Sequence, residues 1–262
     1  MKRSLFIPCL VIVSCLLLAP IGCAQEYTPT SGQAGKDVIW VPTPQELVNA
    51  MLDMAKVTPS DYVIDLGSGD GRLVITAAKL GATAHGIEYN PDMVELAKRN
   101  ANAAGVAARA TFEKADIFES DFSRADVLTL FLLPSLNMRL RPTILDMKPG
   151  TRVVSNSFNM EDWKPDETRN TSEGSYSTAH LWIVPAKVNG NWKLEGGQIN
   201  FIQEFQNVTG TMTLGNKTMD LDGKLNGTAL TLTAGGVEYT GTVSGNTISG
   251  ARAGGGAWKA TR

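Results

Sequence analysis

A glycine-rich loop that lies between two acidic residues is the part of this sequence best suited to hold a ligand. The run reads Val63-Ile64-Asp65-Leu66-Gly67-Ser68-Gly69-Asp70-Gly71-Arg72, and a helical pattern follows it. This order predicts a strand, a ligand-binding loop and a helix N-terminus. Glycines let the backbone approach a ligand, and amides at the helix start can hold a carboxylate. The candidate ligand-binding residues in the loop are Asp65, Gly67, Ser68, Gly69, Asp70 and Gly71.

The two carboxylates indicate which ligand this loop suits. Its spacing is G-x-G-x-G, whereas the dinucleotide fingerprint is G-x-G-x-x-G and places a pyrophosphate at the helix N-terminus. Asp65 and Asp70 would repel a pyrophosphate but suit a cationic ligand. S-adenosylmethionine (SAM) carries an ammonium and a sulfonium group, so the loop predicts a SAM site. The alternative is a glycine-rich turn between a strand and a helix that binds no ligand.

Acidic residues at the ends of the next two predicted strands extend the same site, because ligands of open α/β sheets bind beyond the carboxyl ends of strands. Glu88 lies about twenty residues after the loop, where an acid can accept hydrogen bonds from ribose hydroxyls. Asp116 can accept from an adenine amino group while Ile117 packs on the ring. These two residues and Tyr89, which follows Glu88, are therefore candidate cofactor-binding residues. The alternatives are a helix cap at Glu88 and a plain turn aspartate at Asp116.

The fourth predicted strand ends in the run Leu130-Phe131-Leu132-Leu133-Pro134. In SAM enzymes this position faces the transferred methyl group. Enzymes that methylate amide or nucleobase nitrogens carry Asn/Asp-Pro-Pro-aromatic here, and the polar residue of that motif is absent. The run therefore argues against a DNA adenine methyltransferase, and a buried strand with a proline turn also accounts for it.

Alternating apolar patterns predict the elements that position these residues. A helix is expected near residue 44, with Thr43 as its N-cap, Pro44 at its first position and Glu46 completing a capping box. Strand and helix patterns then alternate, which predicts a parallel sheet with helices on both faces. The predicted strands cover residues 62–66, 83–88, 110–114, 127–132 and 152–157, and the predicted helices cover residues 71–80, 91–104 and 135–147.

The C-terminal part of the chain has a different pattern, rich in Gly, Thr and Asn with short alternating segments. Gly190-Asn191-Trp192 resembles the G-x-W opening of lipocalin-like barrels, and Trp192 and Trp258 are expected to fill the interior. Turn pairs such as Asn226-Gly227 and Gly245-Asn246 separate the segments, which predicts a small antiparallel meander that closes into a barrel. Seven strands are predicted, at residues 198–205, 208–214, 218–225, 229–233, 237–243, 247–251 and 258–262.

Composition excludes several classes of function. The formal net charge is −2, so no basic field recruits nucleic acid. The chain has two histidines, His85 and His180, and three cysteines, all within the first 23 residues. A cysteine nucleophile, a thiolate or zinc site and a histidine-based triad are therefore not expected, and no metal is predicted.

The N-terminus resembles an export signal. Lys2 and Arg3 precede an apolar stretch at residues 5–18, which is too short for a comfortable transmembrane helix. The small-residue run Gly22-Cys23-Ala24 fits signal peptidase cleavage, which we favour. It also resembles the end of a lipoprotein signal, with Cys23 lipidated, and an uncleaved anchor is the third option. The expected location is exported, either periplasmic or tethered to a membrane and facing outward.

Several segments together resemble one group of seven-strand SAM methyltransferases. They are Val41-Pro42-Thr43-Pro44, the loop from Asp65 to Arg72, Thr129-Leu130-Phe131-Leu132-Leu133-Pro134 and Asn137-Met138-Arg139-Leu140-Arg141-Pro142. The group includes the lysine methyltransferases that act on the c subunit of ATP synthase and on the adenine nucleotide translocase, and an archaeal protein-lysine methyltransferase. The resemblance covers roughly residues 38–185.

The resemblance implies an activity and a fold. The activity is methyl transfer from SAM to a lysine ε-amine of a protein or peptide, with no nucleic acid as partner. One alternative is a small-molecule or lipid methyltransferase. The other is an exported, non-catalytic binding protein that uses the barrel. The resemblance also implies a substrate channel. Its substrate-binding residues would be Pro42, Thr43, Phe131 and Leu132, and its candidate catalytic positions Leu133 and Pro134.

The expected fold is a Rossmann-like α/β SAM methyltransferase sheet with a second, smaller antiparallel β-barrel-like domain. The expected division is a signal peptide at 1–24, a flexible leader at 25–37, the methyltransferase domain at 38–186 and the β domain at 187–262.

Overall fold

The computed structural model describes residues 27–172 and 174–262. The predicted export signal, with its three cysteines, lies outside these residues. No helix within the described ranges combines the length and the apolar character needed to cross a membrane.

The N-terminal half is built around one seven-stranded sheet with the order β3-β2-β1-β4-β5-β7-β6. Strands β1 to β5 are parallel, and β7 runs antiparallel to both of its neighbours, β5 and β6. The strands are β1 Tyr62–Leu66, β2 Thr83–Glu88, β3 Ala110–Lys114, β4 Val127–Leu130, β5 Arg152–Asn156, β6 Glu167–Asn170 and β7 Thr178–Ile183.

Four helices cover the two faces of this sheet. They are α1 Gln45–Met54, α2 Arg72–Lys79, α3 Pro91–Ala103 and α4 Pro134–Leu145. The buried side chains of α1, α2 and α3 form one hydrophobic cluster, and those of α4 belong to a second cluster. Strand β1 contributes Val63 to the first cluster and Ile64 and Leu66 to the second, because successive side chains of a strand point to opposite faces. The predicted α/β sheet with helices on both faces is confirmed.

Two local predictions in this half are wrong. Helix α1 begins at Gln45 with Pro44 as its N-cap, and no side chain caps it. The Thr43 hydroxyl instead accepts a hydrogen bond from Asn156 Nδ2 at 3.1 Å, and Glu46 accepts one from Ser172 Oγ. Strand β4 ends at Leu130, two residues earlier than predicted, so Phe131 lies beyond the strand end. Both differences arise because tertiary contacts outweigh a local capping pattern or strand propensity.

The C-terminal half is a closed antiparallel barrel of eight strands, which confirms the predicted β-barrel-like domain. One more strand is present than predicted, because the segment that begins at Gly190 pairs with both the next strand and the last one. The strands are β8 Gly190–Leu194, β9 Gly197–Glu204, β10 Asn207–Leu214, β11 Lys217–Asn226, β12 Ala229–Ala234, β13 Val237–Ser244, β14 Thr247–Arg252 and β15 Ala257–Thr261.

Side chains fill the interior of this barrel. Trp192 is 1% exposed, its indole donates to the Val188 carbonyl at 2.7 Å, and it belongs to the buried cluster of inward-facing residues. The Arg262 guanidinium lies over the same ring, 4.6 Å from its centroid. The prediction for Trp258 is only partly right, since this side chain is half-buried and its indole donates to the Thr240 carbonyl at 2.8 Å.

Candidate active site

A cavity of about 520 Å³ lies along the carboxyl ends of β3, β2, β1, β4 and β5. It runs from Asp116, which follows β3, across the loop after β1 to Phe158, which follows β5. The residues singled out from the sequence that line it are Pro42, Thr43, Asp65, Gly67, Ser68, Gly69, Asp70, Glu88, Tyr89, Asp116, Ile117, Phe131, Leu132 and Leu133.

The loop after β1 is fixed to the end of β2. The amides of Gly67 and Ser68 both donate to the Ile87 carbonyl, at 2.8 and 3.1 Å. The amide of Gly69 donates to Glu88 Oε2 at 3.0 Å, and the other carboxylate oxygen accepts from the Asn90 amide at 2.9 Å. Gly67, with φ of 81°, adopts a left-handed conformation that suits glycine. Glu88 therefore holds the loop as well as facing the cavity.

Asp65 is a buried carboxyl group at the floor of the cavity. It is 6% exposed, and its Oδ1 accepts a hydrogen bond from Thr129 Oγ1 at 2.7 Å. Burial raises the pKa of Asp65 to about 7, the hydrogen bond from Thr129 opposes that rise, and the nearby Glu88 and Asp70 add to it. A cationic ligand above Asp65 would favour its ionised form.

Ser68 supplies an unsatisfied hydrogen-bonding group to the same floor. Its hydroxyl is buried and has no hydrogen-bond partner among the residues that the structure describes. A Cβ on Gly86 would lie 2.5 Å from Ser68 Oγ, so glycine at position 86 makes room for this side chain. A buried polar group without a partner is costly, and a bound ligand can satisfy it.

Asp70 pairs with an arginine of the adjacent helix. Arg72 Nη2 lies 2.6 Å from Asp70 Oδ2, and Arg72 Nη1 donates to the Thr43 carbonyl at 2.6 Å. The positive charge offsets that of Asp70, and the guanidinium ties the segment before α1 to the loop. Asp70 therefore organises this wall of the cavity in addition to lining it.

The segment at residues 27–41 forms part of the cavity wall. Gly32 N donates to the Trp40 carbonyl at 2.8 Å and Trp40 N to the Gln33 carbonyl at 2.9 Å, which makes a short hairpin. Lys36 Nζ forms an ion pair with Asp116 and lies 4.7 Å from the centroid of the Tyr89 ring. The hydrogen bond from Lys36 holds the pKa of Asp116 below its usual value.

Three aromatic side chains close the other end of the cavity, and we call them the aromatic wall: Phe131, Phe158 and Tyr176. The ring centroids of Phe131 and Tyr176 are 5.1 Å apart in an edge-on arrangement, and those of Phe131 and Phe158 are 6.1 Å apart and stacked. Pro42, Thr43, Leu132, Leu133 and Leu136 line the same end. Among these described residues, the polar side-chain groups are the hydroxyls of Thr43 and Tyr176.

Gly71 and Pro134 lie outside the cavity lining. Gly71 is the N-cap of α2, and a Cβ there would lie 2.7 Å from the Phe112 ring and 2.9 Å from Ala97 Cβ. The glycine therefore permits close packing of α2. Pro134 is the first residue of α4, where a missing amide hydrogen costs nothing.

Several lining residues carry no sequence motif. Lys36 comes from a polar segment that gives no periodic signal, and Trp40 comes from a short apolar run at residues 38–41. Tyr176 precedes β7, which the sequence pattern does not mark. Phe158 differs, since it follows the predicted fifth strand. The rule that ligands bind beyond the carboxyl ends of strands would have indicated it.

The residues present fit SAM on structural grounds. The cavity size falls in the range of small-molecule sites, about 300–1,000 Å³. Asp65, Glu88 and Asp116 are aligned along the strand ends, the Ser68 hydroxyl has no partner within the described chain, and positive-φ glycines bring the backbone to the surface. Among the described residues, no group of three or more His, Cys, Asp or Glu side chains is arranged to hold a metal ion.

Comparison with known proteins agrees with this site. A family model described as the ANTKMT methyltransferase domain matches residues 65–167. A protein-lysine N-methyltransferase of Saccharolobus islandicus is 42% identical over 151 residues, which is 56% of this chain and 94% of the relative. The mouse lysine N-methyltransferase of the ATP synthase C subunit is 37% identical over 113 residues, covering 43% of this chain and 45% of that protein.

The solved structures point to the same cofactor. A structure described as an RNA methyltransferase from Salinibacter ruber, in complex with S-adenosyl-L-homocysteine, shares 47% identity with a TM-score of 0.53. The match covers 56% of this chain and 96% of that one. SAM is therefore the cofactor, and the match to nearly the whole length of the archaeal relative shows that this chain belongs to the family of SAM-dependent protein-lysine N-methyltransferases.

Proposed function

We propose that this protein transfers a methyl group from SAM to the ε-amine of a lysine in a protein or peptide. The observation that carries the proposal is the asymmetry of the cavity. Carboxylates line its end at β1, β2 and β3, and the aromatic wall with apolar side chains lines its end at β4 and β5. The first end suits the cationic cofactor, and the second suits a long aliphatic side chain that ends in an amine.

The acceptor end favours the neutral form of the lysine. When bound, SAM supplies an electrophilic methyl group on its sulfonium. A lysine amine attacks only when unprotonated, and a site of low dielectric lowers the pKa of an amine. Phe131, Phe158 and Leu132 provide such surroundings, so solvent can take the proton before the amine enters and no general base is required. Positioning of the amine then supplies most of the rate enhancement.

The aromatic wall also suits the charged product. Methylation leaves a cationic amine, and a cation over an aromatic face is stabilised by about 0.5–2 kcal/mol. The hydroxyls of Tyr176 and Thr43 can accept a hydrogen bond from that amine. The same groups would exclude bulk water from the reacting atoms.

A methyl-transfer assay tests the proposal. The protein is incubated with SAM that carries a labelled methyl group and with a set of lysine-rich peptides, and modified residues are located by mass spectrometry. Matched peptides with arginine in place of lysine are the control. We expect label on lysine only; label that persists on the arginine peptides, or no label with any lysine peptide, contradicts the proposal.

RNA is the second candidate acceptor, because the Salinibacter ruber structure is described as an RNA methyltransferase. The charge of this chain disfavours it. RNA binding relies on clustered Lys and Arg to neutralise phosphates, whereas the net charge here is −2 and carboxylates line one end of the cavity. The same assay with total RNA distinguishes the two acceptors.

A small-molecule or lipid acceptor and a binding role for the barrel both receive less support. A small molecule or lipid would need polar groups to orient it, and the described acceptor end is aromatic and aliphatic. A binding role for the barrel would need an open interior, and its inward-facing side chains form a buried cluster.

We also propose that the protein is exported, and that it is then either free or tethered to a membrane through its N-terminus. The support is the sequence of the first 24 residues, with Lys2 and Arg3 before an apolar stretch and Gly22-Cys23-Ala24 after it. Cell fractionation with N-terminal sequencing of the mature protein tests this. A mature chain that begins at Gln25 indicates secretion, a lipidated Cys23 indicates a tether, and an intact N-terminus in the cytosol contradicts the proposal.

A further inference from the structure

The turn between β9 and β10 differs from the other two-residue turns of the barrel. It consists of Phe205 and Gln206, and Phe205 has φ of 52°. A positive φ is costly for a bulky residue, and hairpin turns normally place glycine or asparagine there. Local preference therefore does not explain this turn. The other two-residue turns of the barrel all contain glycine: Glu195-Gly196, Gly215-Asn216, Gly227-Thr228, Gly235-Gly236 and Gly245-Asn246.

Phe205 packs into the core of the other domain. Its ring stacks on Trp163 with centroids 5.9 Å apart and an interplanar angle of 16°. The Arg141 guanidinium lies 5.2 Å from the centroid of the same ring. Phe205 is thus a partly buried residue that packs against the hydrophobic cluster containing Trp163 and the buried apolar residues of α4, and not against the barrel cluster.

Polar contacts beside Phe205 bind the residues that follow Trp163 in the chain, at positions 164 and 166. Gln206 is 3% exposed, and its Nε2 donates to the Lys164 carbonyl at 2.9 Å. Lys224 Nζ lies 2.8 Å from Asp166 Oδ1, and Asp166 also accepts from the Ile183 amide at 3.0 Å. The barrel therefore holds residues 163–166 through one stacked ring, one hydrogen bond and one ion pair.

Residues 163–166 form the end of the loop between β5 and β6. We call this whole loop, residues 157–166, the acceptor loop. This loop carries Phe158 of the aromatic wall. Helix α4 holds its other side, because Asn137 Nδ2 donates to the Phe158 carbonyl at 3.3 Å and Arg141 Nη1 donates to the Met160 carbonyl at 3.0 Å. The loop lies between α4 and the barrel.

The acceptor loop needs such support. Ser157 and Glu161 have φ of 59° and 55°, conformations that non-glycine residues hold only where their surroundings enforce them. The Phe158 amide donates to the Asn156 carbonyl at 2.7 Å, and the Trp163 amide to the Met160 carbonyl at 3.2 Å. Within its own domain Trp163 is held by Trp182, whose indole donates to the Trp163 carbonyl at 2.8 Å, and the stacked Phe205 ring is its support from the barrel.

We propose that the barrel is an internal brace for the amine-binding end of the active site, and that Phe205 is the positioning residue through which it acts. The inference rests on the proposed function, because it assigns the aromatic wall to the acceptor lysine. Phe205 holds Trp163, Trp163 fixes the acceptor loop, and the loop presents Phe158 to the cavity. The cofactor end receives none of these contacts, so the brace acts on the acceptor and not on SAM.

The test compares Phe205→Ala with Phe205→Tyr in the full chain. The tyrosine variant keeps the stacked ring and serves as the conservative rescue. Ile202→Ala is the matched control, because Ile202 lies on β9, the strand that leads into the turn, and is 61% exposed. Three quantities are measured: amide hydrogen exchange at Phe158, Glu161 and Trp163, the KM and kcat for a lysine peptide, and the Kd for SAM.

We expect Phe205→Ala to speed exchange of the three acceptor-loop amides about 10-fold. The KM for the peptide should rise about 10-fold while the Kd for SAM stays within about twofold of wild type, since only the acceptor end is displaced. Phe205→Tyr and Ile202→Ala should match wild type in all three measurements. Unchanged exchange in Phe205→Ala, or loss of SAM binding together with peptide binding, overturns the proposal.

The readouts separate this inference from the proposed function. If wild type modifies no lysine peptide, the proposed function fails, and the exchange data decide alone whether Phe205 holds the acceptor loop. If Phe205→Ala does not fold, Gln206→Ala replaces it, because that change removes the hydrogen bond to the Lys164 carbonyl and keeps the stacked ring. Faster exchange at Trp163 in Gln206→Ala supports the brace, and unchanged exchange contradicts it.

Discussion

The hydroxyl of Thr129 donates a hydrogen bond of 2.7 Å to the carboxylate of Asp65 and so joins β4 to β1 beneath the cofactor end of the cavity. Thr129 is fully buried and Asp65 is 6% exposed. This hydrogen bond opposes the rise in the pKa of Asp65 that burial causes. The ionisation of Asp65 can therefore be measured, and a change at Thr129 should shift it.

The stability of the protein should depend on the ionisation of Asp65. Burial raises the pKa of Asp65 to about 7, above the ordinary value of 3.8 that applies in the unfolded chain. The folded state therefore binds this proton more tightly, and the stabilisation it brings is complete below about pH 4 and is lost as the pH rises through 7. Relative to Asp65→Asn, wild type should lose roughly 4 kcal/mol of unfolding free energy over this range.

Urea unfolding at several pH values measures this difference. Thr129→Val is the control, since loss of the hydrogen bond should raise the pKa of Asp65 further and move the transition to higher pH. Identical pH profiles for wild type and Asp65→Asn would show that Asp65 titrates normally.

SAM binding should release a proton below pH 7. A cationic ligand favours ionised Asp65, which at pH 6 is about 90% protonated for a pKa near 7. Calorimetric titration in buffers of different ionisation enthalpy should report release of up to about one proton per site. Asp65→Asn should release none, and a buffer-independent heat in wild type would mean that Asp65 does not face the cationic group.

Valine in place of Gly67 should abolish cofactor binding while the fold remains. Gly67 has φ of 81° and lines the cavity, and a Cβ there would lie 3.4 Å from Leu132. Gly105→Val is the matched control, because Gly105 also has a positive φ, of 71°, but is exposed and outside the cavity. Both variants should lose roughly 1–2 kcal/mol of stability. Only Gly67→Val should lose SAM affinity by calorimetry, and equal affinities would refute the loop assignment.

Loss of the aromatic wall should weaken use of the acceptor but not binding of the cofactor. Tyr176→Ala should lower kcat/KM for a lysine peptide about 10-fold, because a ring that contacts the amine is removed. Tyr176→Phe keeps the ring and should stay near wild type, which separates the face of the ring from its hydroxyl. Steady-state kinetics with a parallel SAM titration checks this, and an equal loss in both variants would assign the effect to the hydroxyl.

Local sequence patterns pointed to residues that line one end of the cavity, because these residues lie close to the ends of two apolar strands. Asp65 lies near the end of β1, the loop glycines follow that strand, and Glu88 ends β2. The acceptor end could not be predicted in the same way. Phe131 and Tyr176 lie 45 positions apart in sequence and meet only because β7 pairs with β5.

Thr43 illustrates why a local capping pattern can mislead. Its position before Pro44 fits a helix cap, but its hydroxyl accepts from buried Asn156, which only the folded sheet brings near. The predicted leader at residues 25–37 is a similar case. Its Lys36 forms an ion pair with Asp116, which lies in the loop after β3. Long-range partners of this kind leave no periodic signal in the sequence.

Phe205 lies about twenty residues after β7, which is the last strand of the seven-stranded sheet in chain order. The ribosome therefore adds Phe205 after the whole sheet has been synthesised. While the chain is being synthesised, Trp163 can contact Trp182 of its own domain, but its stacked neighbour Phe205 arrives only when the β9–β10 hairpin has emerged. A product that stops before Phe205 would leave the stacked side of the Trp163 indole uncovered, and exposed apolar surface favours aggregation. The junction between the two domains thus links completion of this hydrophobic cluster to synthesis of the barrel hairpin.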